Sequence, residues 1–358
     1  MGKKKSSAKK TEKKSTARKW WIWGSVASFS VLLTAAGIFS WFVFFTPNVT
    51  AGSSPAYVFV YSGELFDHFI LRLENAPADK RPVKNLTTFK WVAGWLDLDK
   101  KLKPGRYQLK AGMNNLELVR LLRSGKQEPI QITLRKFHTP FEVAGYAGRQ
   151  LESDSNSILN AMKKYFPDVL QKAMTVILPN TYEFYWNTSA DGFVKRMKTE
   201  SDRFWNANNR LQLLDSIHLS KDVAVVMASI VEEETALKED KPKIACVYLN
   251  RIQKKMPLQA DPTVKFAIGD FALRRVLNVH LKFESPYNTY LNDGLPPAPI
   301  CNPSLESIDA VLHPLKKDWL YFCAAADFSG HSVFATTYAE HKKNARAYQK
   351  ALDARGIH

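Results

Sequence analysis

From Trp20 to Phe45 the chain carries no charged residue for 26 consecutive positions, and no other feature restricts its folding as tightly. Coiled as a helix, such a run is roughly 39 Å long, enough to cross a hydrocarbon layer of ~30 Å with some tilt. Trp20, Trp21 and Trp23 stand at one end and Trp41 near the other, as interfacial aromatics do, and Lys and Arg crowd only the amino-terminal flank. The run reads as a single-pass transmembrane helix over 20–45. It places the basic tail 1–19 in the cytoplasm and the remainder outside. A cleaved signal peptide is the competing reading, but the run exceeds a signal core and Ala51-Gly52-Ser53 is a weak cleavage pattern.

Charge is unevenly distributed. Residues 1–19 hold eight Lys, one Arg and one Glu, which is +8 of the formal +17. The body is therefore only mildly basic, and the global charge is a poor argument for a nucleic-acid partner. Cys246, Cys301 and Cys323 are too few and too scattered for a disulfide scaffold or a zinc site. They read as small core residues, with one bridge left open as an alternative. A length of 358 residues is enough for two or three domains with real cores.

Residues 46–55 are rich in small and turn residues and read as a linker. Tyr57 to Tyr61 is a strand candidate, followed by a helix with Phe89, Val92, Trp95 and Leu96 on one face. Arg106 to Lys110 is a second strand after the turn Lys103-Pro104-Gly105. Asn114 caps a helix ending at Gly125, and Ile130 to Leu134 alternates as a third strand. These pieces make a small α+β module over 56–136. Thr139-Pro140 opens a more helical region that Leu178 to Tyr185 interrupts as an aromatic loop. Ile244 to Ile252 reads as a buried helix. Ser285 to Pro303 holds five prolines and reads as a long stiff loop. A hairpin spans Trp319 to Ala335, and a capping box of Thr337 and Glu340 opens the last helix. His341 falls on the apolar face of that helix, where a hydrogen-bonded core position is the ordinary reading.

The stretch Val223 to Glu234 (VAVVMASIVEEE) organises the second half. Only Ser229 interrupts the apolar run from Val223 to Val231, so the helix is buried on most of its circumference, with Ser220 as its cap. Val223, Met227, Ile230 and Glu234 share one side at helical spacing. Glu234 is thus the acid that points where the hydrophobic side chains point. A carboxyl held against apolar walls resists ionisation and can donate a proton near neutral pH. A solvated acidic helix end is the plainer alternative for the pattern alone.

The motifs around this helix carry a resemblance. MASIVEEETA (227–236), VYLNR (247–251), LQADPTV (258–264), SPYNTY (285–290), GLPPAPICNP (294–303) and GHSVFATTYAEHKKN (330–344) are collinear with the endolytic murein transglycosylases, the YceG-like family. KPGRYQL and LELVRLLRSGK resemble that family's LysM-like portion. The resemblance implies an α+β chain with one transmembrane anchor, a LysM-like module and a catalytic domain over 137–358. Its reaction would cut the bond between N-acetylmuramic acid and N-acetylglucosamine in peptidoglycan strands and leave a 1,6-anhydro end. In the family's E-x-E-T series the second Glu is catalytic, which maps to Glu234. Helical geometry selects the same residue.

Less specific roles follow from the same motifs. Gln259, Tyr287, Asn288 and His331 are candidates to bond the sugar or its acetamido group, with scaffold as the alternative for each. Glu232 is a candidate to orient the acid, and Asp261 is the motif-borne carboxylate that a hydrolase would need as partner. Asn180 stands where the family usually has Asp and Ala298 where it has Gly, while Cys301 and Ser304 fall in a stretch often richer in Gly. The resemblance further implies glycan-polymerising synthases as partners and a site in the bacterial inner membrane with the body extracytoplasmic. No metal or nucleotide cofactor is expected. The rival from another class is a non-catalytic, membrane-anchored glycan-binding scaffold.

Overall fold

The computed structural model describes residues 8–50, 56–77, 81–273 and 275–356, with side chains from residue 19 onward. The fold is mixed α+β, in two compact units, 1–128 and 129–358. Residues 1–7 of the basic tail and 51–55 of the expected linker, with the Ala51-Gly52-Ser53 pattern, lie outside the described residues.

Helix α1 (Ala8–Phe45) contains the apolar run. Its portion Lys19–Phe45 is long and apolar enough to cross a membrane and is almost wholly exposed. Only its carboxyl end is packed. Val43 is buried in the first unit and its carbonyl accepts a hydrogen bond of 2.8 Å from Asn115 Nδ2. Residues 46–50 beyond it are tied to the same unit. The amides of Asn48 and Val49 donate to Met113 O, and Val49 is bridged to Val83.

Strand β1 (Ala56–Val60) pairs antiparallel with a later strand, β2 (Gly105–Leu109). Between them lie α2 (Phe66–Glu74), α3 (Leu86–Trp95) and the single turn α4 (Leu98–Lys101), and α5 (Asn115–Ser124) follows. The sheet turns Val58, Val60, Tyr107 and Leu109 inward to meet Phe69, Phe89, Val92, Leu118 and Leu122, the period of two answering the helical stripes. Asn114 caps α5 in a reciprocal box with Glu117, and Gly125 ends it at φ +69°. Trp95, expected on the buried face of α3, is instead 71% exposed and meets Phe44 edge-on.

The second unit opens with β3 (Ile130–Leu134), which pairs antiparallel with β4 (Asn180–Phe184). The compact units divide at 128/129, and Ile130, Ile132 and Leu134 bury in a core of the second unit. One expectation is corrected by this pairing. The aromatic segment LPNTYEFY is a strand and not a loop, with Tyr182 and Phe184 facing in and Thr181 and Glu183 out. Helices α6 (Pro140–Gly148), α7 (Ser155–Tyr165) and α8 (Ala190–Asn206) close this core.

A second core forms around α10 (Lys221–Glu234), capped by Ser220 and buried without a break from Ala224 to Val231. It packs with the short α9 (Arg210–Ser216), α11 (Lys241–Gln253), α12 (Asp261–Ile268) and α13 (Leu305–Leu312). The one polar residue in the run is used. Ser229 Oγ donates to Val226 O and accepts from Ile300 N at 3.0 Å, fixing the proline-rich loop to the helix. Strands β5 (Tyr321–Ala324) and β6 (Ser332–Ala335) form the expected hairpin, and α14 (Tyr338–Asp353) starts at the Thr337/Glu340 capping box. All three cysteines are free thiols.

The two cores of the second unit are joined at Asn302. Its side chain, fully buried, accepts from Phe137 N at 2.6 Å and donates to Arg135 O at 3.1 Å, while its amide donates to Phe137 O. Removing that side-chain amide strands the buried Phe137 N–H and frees the partly buried Arg135 carbonyl. Asn302→Ala is expected to lower unfolding free energy by about 2–4 kcal/mol, read from urea melts against the parent chain.

Candidate active site

Three consecutive glutamates end α10, and a step of 100° per residue sends them to three environments. Glu232 Oε2 accepts from Lys241 Nζ at 2.9 Å and from the hydroxyls of Ser304 and Ser307, locking α10 to α11 and α13. These bonds outweigh its burial and hold its pKa below the usual carboxylate range. Glu233 lies 2.8 Å from Lys136 Nζ and 3.3 Å from His138 Nε2. Burial opposes its ionisation, but the two basic partners hold its pKa down to about 2.

Glu234 is different. It faces a cleft of ≈ 270 Å³ whose apolar walls are Leu258 and Phe322, and its one hydrogen-bond donor among the described residues is Tyr248 Oη at 2.6 Å. Burial pushes its pKa up to about 7. The Tyr248 bond works against that shift and the nearby Asp261 adds to it. Near neutral pH this carboxyl is part protonated and part ionised, so it can both give and take a proton.

The other expected site residues separate into two groups. Gln259 and Asp261 line the same cleft as Glu234. Gln259 does so from a left-handed backbone, φ +49°, a conformation disfavoured for a side chain with a Cβ. Its amide donates to Thr289 O, which fixes that turn. Asp261 opens α12 and accepts from Tyr290 Oη at 2.6 Å.

Tyr287, Asn288, His331 and Glu232 are not among the residues that line the cleft. The Tyr287 ring packs on Phe266 with centroids 4.7 Å apart. Asn288 is fully buried, donates to Leu281 O and Phe283 O, and accepts from Tyr290 N. It shapes the loop that presents Tyr290. His331 Nδ1 lies 3.3 Å from the buried carboxylate of Asp240, which also accepts from Ser332 N and Lys243 Nζ. That cluster ties the hairpin to the start of α11.

Besides the apolar Leu258 and Phe322, four cleft residues with polar groups escaped the sequence reading of the site. Tyr248 and Arg251 sit in VYLNR, one helical turn apart, and Tyr290 ends SPYNTY, so the motifs contained them without marking their roles. Arg251 donates to Leu320 O at 2.7 Å and Leu258 O at 2.8 Å, holding hairpin and cleft wall together. His341 lines the cleft rather than serving as a satisfied core residue. Its ring stacks on Tyr321, burial followed by the Arg251 charge lowers its pKa, and its Nδ1 has no hydrogen-bond partner among the described residues. Among the described residues no cluster of His, Cys, Asp and Glu could hold a metal ion.

A carboxyl whose pKa is raised toward neutrality, in a cleft it shares with Asp261, has the chemistry of an acid–base group. The chain belongs to the YceG-like family, whose profile matches residues 58–347. It is 35% identical over 265 residues to the endolytic murein transglycosylase of Bacillus subtilis (strain 168), covering 68% of this chain and 72% of that one. It is 28% identical over 280 residues to the endolytic murein transglycosylase of Streptococcus pneumoniae serotype 2, of whose length it spans 50%. Among solved structures, a putative YceG-like protein of Listeria monocytogenes matches 82% of this chain and 99% of its own, with TM-score 0.51 and 28% identity.

The raised carboxyl has a thermodynamic signature. With a folded pKa near 7 and an unfolded value near 4.5, its contribution to stability is fully present below pH 4.5 and is lost as pH rises through 7. Glu234→Gln removes that ionisation. Its melting temperature relative to the parent should therefore rise between pH 4.5 and 8, by the equivalent of about 3 kcal/mol, in paired thermal melts.

Proposed function

We propose that this chain is a membrane-anchored endolytic lytic transglycosylase. On this reading it cuts bonds between N-acetylmuramic acid and N-acetylglucosamine in nascent peptidoglycan strands and leaves 1,6-anhydromuramoyl ends. The names of the relatives supply the substrate, and the observation that carries the chemistry is Glu234, alone among three adjacent glutamates in having a pKa raised toward neutrality.

Protonated Glu234 donates to the glycosidic oxygen, and the bond from that oxygen to C1 of the muramic residue breaks. C1 becomes oxocarbenium-like. The sugar's own 6-hydroxyl attacks C1 while the Glu234 carboxylate removes its proton, which closes the anhydro ring and restores the acid. The nucleophile is tethered, and such intramolecular attack is worth ~7–11 kcal/mol of barrier, so no second carboxylate is needed to activate water. Tyr248 steadies the ionised form of Glu234 between the two transfers. Asp261, in the same cleft, favours positive charge developing on the sugar.

The apolar helix Lys19–Phe45 anchors the chain in the inner membrane on this reading, with the basic flank cytoplasmic and the chain from residue 46 onward outside. The strand-and-helix module of the first unit is a LysM-like holder of glycan, and glycan-polymerising synthases are the partners that deliver fresh strand. Asp261 supports one second reading. Sharing the cleft with Glu234, it is placed to act as the partner carboxylate of a hydrolase.

Uncrosslinked glycan incubated with the chain in lipid nanodiscs separates these readings by mass spectrometry of the products. Anhydro ends are expected, with Glu234→Gln slower by about 10²–10⁴-fold. Reducing ends would favour hydrolysis, and intact strands a binding scaffold. The rate should also fall as pH rises through about 7, because the first step needs the protonated acid. Tyr248→Phe, which removes a bond to the ionised form, should move that alkaline limb to higher pH in initial-rate profiles.

A further inference from the structure

A second, larger pocket of ≈ 560 Å³ lies in the same unit, bounded by the end of β3 and one face of α6. Its most prominent feature is a pair of arginines. Arg135 and Arg149 place their guanidinium carbons 5.9 and 6.0 Å from the centre of the Tyr146 ring. Neither guanidinium makes a hydrogen bond or ion pair with another described residue. The nearby acids do not neutralise them. Glu142 is occupied by the amides of His138 and Thr139 at the start of α6, and Glu233 by Lys136 and His138.

Gly145 supplies an independent observation. It sits inside α6, where glycine is worse than alanine by about 1 kcal/mol. Its backbone has no positive φ that would require glycine. A Cβ there would meet nothing closer than Arg149 Nη1 at 3.8 Å, whereas at Gly148 a Cβ would collide with Ser155 N at 2.6 Å. Helix packing therefore explains Gly148 but not Gly145. What a side chain at 145 would remove is space beside the guanidinium.

The pocket shares two lining residues with a smaller cleft, which in turn is lined by chain neighbours of the Glu234 cleft. Lys136 and His138 line the pocket and also line this smaller cleft of ≈ 200 Å³ with Glu233, Pro262 and Lys265. Glu233 and Pro262 directly adjoin Glu234 and Asp261 in the chain, and these line the catalytic cleft.

We propose that the Arg135–Tyr146–Arg149 pocket is a subsite for a carboxylate of the peptide stem carried by the glycan strand. The proposal rests on the peptidoglycan reading above. Two planar guanidiniums with unused donors match the paired oxygens of a carboxylate. Tyr146 and the exposed ring of Phe141 offer apolar surface to aliphatic stem side chains. The subsite makes the enzyme selective for strands that still bear their stems.

The test uses the intact chain in nanodiscs, with uncrosslinked glycan bearing its stems and the same glycan stripped of stems by an amidase. The half-saturating concentration should be about tenfold lower for the stem-bearing strand, as expected for one charge-assisted bidentate contact. That ratio should collapse toward one in the R135Q/R149Q double variant, and also in Gly145→Leu, which keeps both charges and fills the pocket. Circular dichroism checks that each variant is folded. Equal half-saturation in the parent chain, or a ratio that survives both variants, overturns the subsite.

Binding of a free stem tripeptide, followed by NMR, reads the same pocket without turnover. Saturable binding lost in the double variant supports the subsite even if no strand is cut, so its failure and the failure of the transglycosylase reading are separate results. Inorganic phosphate binding there more tightly than the tripeptide would overturn the carboxylate assignment.

Discussion

The second unit depends on the burial of α10. A helix apolar from Ala224 to Val231 but for Ser229 has no stable place except the middle of a core, and α11, α13 and the proline-rich loop close around it. Burial stops being complete only at its carboxyl end. There the chain must accommodate three carboxylates within a single turn, where like charges oppose one another and the helix dipole disfavours negative charge.

The fold resolves that conflict by giving each acid a different counterpart. Glu232 meets a lysine and two hydroxyls, Glu233 a lysine and a histidine, and Glu234 a phenol. Two hydroxyls and a lysine lower the pKa of Glu232, a histidine and a lysine lower that of Glu233, and burial without an ion pair raises that of Glu234. The first two glutamates are therefore structural anchors whose ionisation helps hold the elements around the site. Their satisfaction is what allows the third to remain poised. The arrangement explains why an acidic run that resembles a solvated helix end has its terminal member turned toward a cleft.

Much of this was legible in the chain because the signals were local. The helical stripe through Val223, Met227, Ile230 and Glu234 identified the acid that faces the cleft, and the caps at Ser220, Asn114 and Thr337 marked helix starts. Pairing partners were less legible. Leu178 to Tyr185 looked like a loop because its partner strand lies almost fifty residues away. Polar residues in the motifs were the hardest to assign. Asn288 and Tyr290 sit two residues apart in SPYNTY, yet one is a buried staple and the other faces the cleft. His341 looked like a core residue from its stripe, yet it stacks on Tyr321 of the hairpin and borders the cleft. Only the tertiary contacts of each side chain separate such cases.

The central claim is that one carboxyl of the three titrates near neutrality. It is tested most directly by ¹³C NMR of side-chain carboxyl shifts as a function of pH, with Glu234 assigned by comparison with the spectrum of its Gln variant. The account predicts a midpoint near 7 for Glu234, with Glu232 and Glu233 ionised throughout the neutral range. A midpoint at or below 4.5 for Glu234 would contradict it, because the group would then have no proton to give at the pH where the chain works.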